Sequence, residues 1–185
     1  GRARLLLSDP SDRRIAFAGG GPLIADQLAF RVAVEDREFD GFVRNPTRGD
    51  AEDALDSTMV RAKLLWTPTG VEGLAARLGY TRDDRNGPYM YTYARRDVDD
   101  YFNNRINLSD HPTATDALSQ VTTLEVDYAP GGKWSLSSAT SWTDTDMARS
   151  FDTDLTEFPV AYGETEEYYD TLSQEFRLHY RGERL

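Results

Sequence analysis

Leu28-Ala29-Phe30-Arg31-Val32-Ala33-Val34-Glu35 alternates without a break: Leu, Phe, Val and Val fall on one side, Ala, Arg, Ala and Glu on the other. Successive side chains of a strand point to opposite faces, so this spacing predicts a β-strand with one apolar and one polar face. The split recurs in residues 60 to 66, where Arg61 and Lys63 oppose Val60, Ala62, Leu64 and Trp66. It appears again in residues 74 to 80, 124 to 128 and 176 to 180, and more weakly in 2 to 7, 13 to 19 and 134 to 142. Eight strands are expected.

Composition narrows the class. The 185 residues carry 21 Lys+Arg against 32 Asp+Glu, a net charge of −11, and no Cys. An acidic chain without a basic stripe is unsuited to nucleic acid, whose phosphates must be neutralised. Without Cys there is no disulfide framework, Cys-zinc site or thiol catalysis. With 39% hydrophobic and 11% aromatic residues the chain is too apolar to be disordered. The uninterrupted apolar pieces are short, such as Leu64-Leu65-Trp66, far below the roughly 18 to 20 residues of a spanning helix. The chain opens on Gly1-Arg2-Ala3 with no initiator Met or signal-like segment and stops just after a strand-like run, so it reads as a piece of something longer.

The connections sort by parity. The second (Gly19 to Asp26), fourth (Thr67-Pro68-Thr69-Gly70) and sixth (Pro130-Gly131-Gly132) are compact and rich in turn residues. The third, fifth and seventh are long, over residues 38 to 57, 84 to 117 and 149 to 169; the first, Ser8 to Asp12, is short although it belongs to the same side. In an up-and-down meander the long loops therefore gather at one end. That pattern, with strands of about ten residues, predicts an antiparallel transmembrane β-barrel segment. Ten residues at about 3.3 Å each, tilted about 45°, cross some 23 Å, close to the apolar band of about 25 Å. Trp66, Tyr128, Trp134 and Tyr180 would lie beside the short-turn end and Tyr80 and Trp142 towards the other, as interfacial girdles require. A soluble β-sandwich, such as an adhesin or carbohydrate-binding module, explains the alternation equally well but not the loop parity.

Gly21-Pro22-Leu23-Ile24-Ala25-Asp26-Gln27-Leu28-Ala29-Phe30-Arg31, followed by Asp40-Gly41-Phe42, resembles the early barrel of TonB-dependent outer-membrane receptors. Arg61-Ala62-Lys63-Leu64-Leu65-Trp66-Thr67-Pro68 is similar to the family's next strand and periplasmic turn, and Ser173-Gln174-Glu175-Phe176-Arg177-Leu178 to its recurrent Ser-Gln-Glu strand. These pieces span most of the chain in the family's order. The resemblance implies residues 1 to 185 as part of a larger barrel enclosing a plug, in a ligand-gated active transporter of the cell outer membrane. It implies a scarce nutrient such as a ferric siderophore as ligand, and the TonB-ExbB-ExbD complex as partner through a plug and TonB box that are not in these residues. Outer-membrane lipid and lipopolysaccharide would surround it. A complete eight-stranded barrel is the rival within membrane proteins.

No catalytic signature is present, neither a phosphate loop, nor His-Glu-x-x-His, nor Gly-x-Ser-x-Gly, so no enzyme is expected. His111 and His179 are too isolated for a metal site, and no cofactor is implied. The fifth connection groups Tyr89, Tyr91, Tyr93, Arg95, Arg96 and Tyr101 with Phe102, aromatic faces beside guanidinium groups suited to an anionic or ring-bearing ligand. The seventh is acidic; its Asp152-x-Asp154 lacks the Gly and distal Glu of an EF-hand loop and reads as a solvated or lipopolysaccharide-tethered loop. Lipid is expected against Leu28, Phe30, Val32, Leu64, Leu74, Leu78, Val126, Leu136, Phe176 and Leu178. Arg31, Glu35, Arg61, Lys63, Arg77, Glu125, Asp127, Glu175 and Arg177 are expected to face the plug or channel.

Overall fold

In a computed structural model that describes residues 1–9, 11–89 and 94–182, the alternating segments form one sheet of eight antiparallel strands. In chain order these are β1 (Arg2–Ser8), β2 (Asp12–Ile24), β3 (Leu28–Phe39), β6 (Leu55–Trp66), β7 (Leu74–Pro88), β8 (Ala114–Tyr128), β9 (Trp134–Asp152) and β10 (Tyr162–Tyr180). Each pairs only with its neighbours in the chain, and a two-stranded hairpin of β4 (Arg44–Asn45) and β5 (Asp50–Ala51) lies within the third connection. No helix among the described residues is long and apolar enough to cross a membrane.

The register carries the two faces across the sheet. Directly opposed residues project on the same side. The row Val32, Ala62, Tyr80, Thr122, Trp142, Leu172 and the row Phe30, Leu64, Leu78, Leu124, Thr140, Gln174 therefore share one face. All ten residues expected against lipid lie on that face, and all nine expected inward lie on the other. The apolar face is bare: Leu78, Leu124, Leu136, Phe176 and Leu178 are exposed, and Val43 and Leu55, near or within the loops, are the only buried hydrophobic side chains among the described residues. A sandwich would cover that face with a second sheet, and none is present among the described residues. The same-length closed barrel is also excluded, because β1 and β10 stand at opposite ends of the strand order and do not pair with each other.

Aromatic residues bound the apolar face. Trp134 and Tyr180 oppose each other at the short-turn end with ring centroids 4.6 Å apart, in the neighbourhood of Tyr128 and Trp66. Tyr80 and Trp142 share one row at the other margin. Along β9, Trp134 to Trp142 spans roughly 19 Å of membrane normal at a 45° tilt, and the rings themselves extend that towards the expected band. Apart from Thr122, the polar residues that interrupt the face form one internally satisfied trio: Thr140 Oγ1 donates to Gln174 Oε1 at 2.5 Å, and Gln174 Nε2 donates to Ser138 Oγ at 2.9 Å. Beyond Trp142 the same face turns to Asp144 and Asp146, opposite Asp170 and Tyr168.

The strands run further towards the long loops than the alternation indicates. The fifth and seventh connections are residues 89 to 113 and 153 to 161, rather than 84 to 117 and 149 to 169, and the third is 40 to 54 rather than 38 to 57. Above the apolar band water meets both faces, so the ladder continues with polar side chains on each and the period of two fades from the sequence. The second turn is likewise shorter, only residues 25 to 27. Gly19-Gly20-Gly21-Pro22 remains in β2, with a register irregularity between Pro22 and Ile24. A Cβ on Gly20 would sit 2.4 Å from the Phe30 carbonyl oxygen, so this glycine serves close strand approach rather than a turn.

Candidate functional site

Two places gather functional side chains: the inward face of the sheet and the packed loops at one end.

On the inward face, charges pair on one side of the sheet and stand free on the other. Arg77 bonds Asp127 at 2.5 Å and lies 4.0 Å from Glu125, and Ser137 Oγ donates to Asp127 at 2.8 Å. Glu175 and Arg177 bond along β10 at 2.5 Å. At the loop end of β2, Asp12 receives Arg37 at 3.0 Å and Arg14 at 3.2 Å. Arg31, Arg61, Lys63 and Glu35 make no side-chain ion pair or hydrogen bond among the described residues. The register also brings Arg2 and Arg4 of β1 to this face, opposite Ala18 and Ala16. The sequence reading did not single them out, although their spacing of two beside Ala3 and Leu5 was the available signal.

The loops hold the best-buried part of the molecule, and it is polar. Asn45 is 1% exposed, and Asn107 and Ser109 are fully buried. Asn45 Oδ1 accepts the backbone N–H of Thr47 at 3.0 Å and of Arg48 at 3.1 Å, an Asx turn that starts the hairpin. Its amide donates to Asn107 Oδ1 at 3.2 Å and to the Ser109 carbonyl at 2.8 Å, stitching the third connection to the fifth. Arg48 reaches the carbonyls of Ser109 at 2.9 Å and His111 at 3.2 Å, and its guanidinium also bonds Glu52 and Asp50. Burial alone would lower the Arg48 pKa, but these carboxylates outweigh it and the net direction is upward. The seventh connection joins through Asp110 N–H to the Thr156 carbonyl at 2.9 Å, and His111 stacks on Tyr162 at 4.2 Å. None of Asn45, Arg48, Asn107 and Ser109 was picked out by sequence: Asn45-Pro46-Thr47-Arg48-Gly49 has a turn composition, but nothing local marks its Asn as buried against another loop.

Of the predicted ligand-facing residues, the structure places four. Tyr89 packs against Phe151, ring centroids 6.0 Å apart, with the Arg149 guanidinium 5.4 Å above its ring. Arg95 bonds Asp97 and donates its backbone N–H to the Ile106 carbonyl at 2.8 Å. The Arg95 guanidinium holds the Asp97 carboxyl below its ordinary range. Arg96 is exposed with no recorded partner among the described residues. Tyr101 meets Phe102 edge-on at 5.5 Å, and Phe102 is 82% exposed. Tyr91 and Tyr93 lie outside the described residues. Tyr89 thus sits at the base of the loops, apart from Arg96 and Phe102 at their surface.

At the acidic seventh connection two carboxylates, Asp152 at the end of β9 and Asp154, bond the loop's own backbone. Asp152 Oδ1 accepts N–H groups of Asp154 at 3.0 Å and Leu155 at 2.8 Å, and Asp154 accepts those of Thr156 at 3.0 Å and Ala161 at 2.8 Å. The Thr156 hydroxyl, then these N–H groups, hold the Asp154 carboxyl below its ordinary range against the opposing effect of burial. A lowered folded-state pKa means the stabilisation is present above about pH 4 and is lost as pH falls through the lowered value. Amide exchange at Thr156 and Ala161, corrected for intrinsic rate, is therefore expected to accelerate on acidification. Asp154→Asn should remove that pH dependence, and pH-independent protection in the unsubstituted protein would refute the account.

No family sequence profile matches the chain. Among solved structures, the chain superposes on the ferric yersiniabactin uptake receptor FyuA of Yersinia pestis with a TM-score of 0.77 at 17% identity. The match covers 97% of this chain and 27% of the receptor, so the chain spans about a quarter of the protein it resembles. At that identity the likeness concerns backbone architecture, and it agrees with the bare apolar face, the aromatic margins and the unclosed strand order. The chain has the fold of a segment of the β-barrel of a TonB-dependent outer-membrane receptor.

Proposed function

We propose that residues 1 to 185 form part of the wall of a TonB-dependent receptor in the cell outer membrane, an active transporter for a scarce nutrient such as a ferric siderophore. The observation that carries this reading is the sheet's division into a bare apolar face edged by aromatics and a charged face, in a backbone superposable on an uptake receptor. Lipid would meet the first face and a plug or aqueous channel the second, with energy supplied through TonB-ExbB-ExbD. Arg31, Glu35, Arg61, Lys63, Arg77, Glu125, Asp127, Glu175 and Arg177 then line the interior. Tyr91, Tyr93, Arg95, Arg96 and Tyr101 border the ligand vestibule, and Tyr89 supports it from below.

In the source cell, deletion of the gene is expected to abolish uptake of one labelled ferric siderophore under iron limitation, and the full-length gene to restore it only when TonB is functional. Alanine at Tyr91, Tyr93, Arg95 and Arg96 together should weaken ligand binding at least tenfold, as loss of two to four stacking or charged contacts implies. Unchanged uptake of iron, cobalamin and glycan ligands on deletion would refute the transport reading. Unchanged binding by the fourfold variant would refute the vestibule assignment.

A further inference from the structure

The inward face of β1, β2, β3 and β6 carries a concentration of positive charge that the chain does not neutralise. Arg2, Arg4, Arg31, Arg61 and Lys63 all project there, and none has a side-chain partner among the described residues. Asp12 is already taken by Arg14 and Arg37, which leaves Glu35 as the one nearby free carboxylate on these four strands. Arg31 and Lys63 oppose each other directly across the β3–β6 ladder. Like charges in that relation cost stability, and the row they share, from Gly20 through Gly79, Thr123 and Ser141 to Ser173, holds no carboxylate.

Small residues surround these cations. The row through Arg31 and Lys63 is bounded by Gly20 on one side and Gly79 on the other; the next row reads Arg2, Ala18, Ala33, Arg61. A recess of about 230 Å³ opens between Arg2, Arg4, Ala16, Ala33, Glu35 and Arg61, and a second of about 230 Å³ beside Arg31, Lys63 and Gly79, with the Arg77–Glu125 pair at its far side. The cations thus stand above a floor of Ala and Gly, where a partner's side chains can approach between them. Four strands at about 4.8 Å spacing extend this ground across roughly 14 Å, a protein-sized footprint rather than that of one small anion.

We propose that this wall docks an acidic polypeptide surface, with Asp or Glu side chains seated between Arg31, Lys63, Arg61 and Arg2. Resting on the receptor reading, the partner is the domain that fills the lumen, and its surface facing β1 to β6 is acidic. Free cations on both sides of the recesses set the sign of the partner, and the small-residue floor sets its closeness. Facing β7 to β10, where Arg77 pairs with Asp127 and Glu175 with Arg177, no such charge bias is expected.

The test places a benzophenone amino acid at Ala33 of the full-length receptor in native outer membranes and identifies cross-linked peptides by mass spectrometry. The expected product joins Ala33 to a segment of the lumen-filling domain in which Asp and Glu outnumber Lys and Arg. Arg31→Glu with Lys63→Glu should lower the yield about tenfold or more, because like-charge contacts across an interface are strongly unfavourable. Arg31→Gln with Lys63→Gln should lower it less; this pair decides the matter if the reversal fails to assemble, as judged by heat-modifiable gel migration. Cross-links to a neutral or basic segment, cross-links to lipid or small solutes only, or an unchanged yield in the charge variants would overturn the proposal. Nutrient uptake measured in parallel separates the two readings: an acidic cross-link without uptake defeats transport alone, and uptake with a neutral or basic cross-link defeats the docking alone.

Discussion

Leu78→Arg, assayed as equilibrium unfolding of the full-length protein from lipid vesicles, is expected to cost about 2 to 4 kcal/mol, the cost of a guanidinium near the middle of a bilayer. Leu78 lies between Ala76 and Tyr80 on the outward face of β7, opposite Leu64 and Leu124, and is exposed. In a sandwich it would be covered and the substitution would overpack a core; in water it would be nearly neutral. Ser141→Arg, on the inward face of β9 between the uncharged Thr123 and Ser173, should change stability by less than about 1 kcal/mol, as surface substitutions usually do. An equal cost at both positions, or none at either, would show that hydrocarbon does not touch the apolar face.

The second large effect is expected in the loops. Asn45→Ala removes both acceptor bonds of the Asx turn and both donor bonds to the fifth connection; Asn107 Oδ1 keeps the Ser109 N–H and the Ser109 carbonyl keeps Arg48, so each buried acceptor loses one of two donors. Each hydrogen bond so lost costs about 0.5 to 1.5 kcal/mol. Local opening of the third and fifth connections should become about tenfold to a hundredfold more frequent, read as lost amide protection at Asn107 and Ser109. Protection in β7, β8 and β9 should not change, because those ladders share no bond with Asn45. Unaltered protection at Asn107 would mean that the loops are held together by something else.

These two predictions draw on different layers of information. Leu78 was assignable from the sequence, because a side chain's face on a strand depends only on parity, and parity survives any error in strand ends. Asn45 was not. Its partners Asn107 and Ser109 lie about sixty residues away, in a loop without periodicity, and nothing local distinguishes a buried Asn from a solvated one. Tyr89 shows the same limit within the fifth connection. Sequence grouped it with Arg95 and Arg96, but the ladder brings Phe151 and Arg149 of β9 to its ring. Strand ends suffered for a related reason: above the apolar band no alternation distinguishes strand from loop, so β9 and β10 each run to 19 residues where about ten were expected.

Alternation and loop parity alone determined the eight strands of the large sheet, though not the β4–β5 hairpin, together with the sheet's two faces and the end at which the long loops gather, because each depends on covalent spacing and on the reversal of direction at every turn. Tertiary structure decided three things that no local rule contains. It decided that β1 and β10 remain unpaired with each other, that Arg31 opposes Lys63 without a carboxylate between them, and that Asn45 joins two loops. Each is a relation between residues brought together by hydrogen-bonded register or buried contact, and pattern along the chain carries no record of which distant partner completes it.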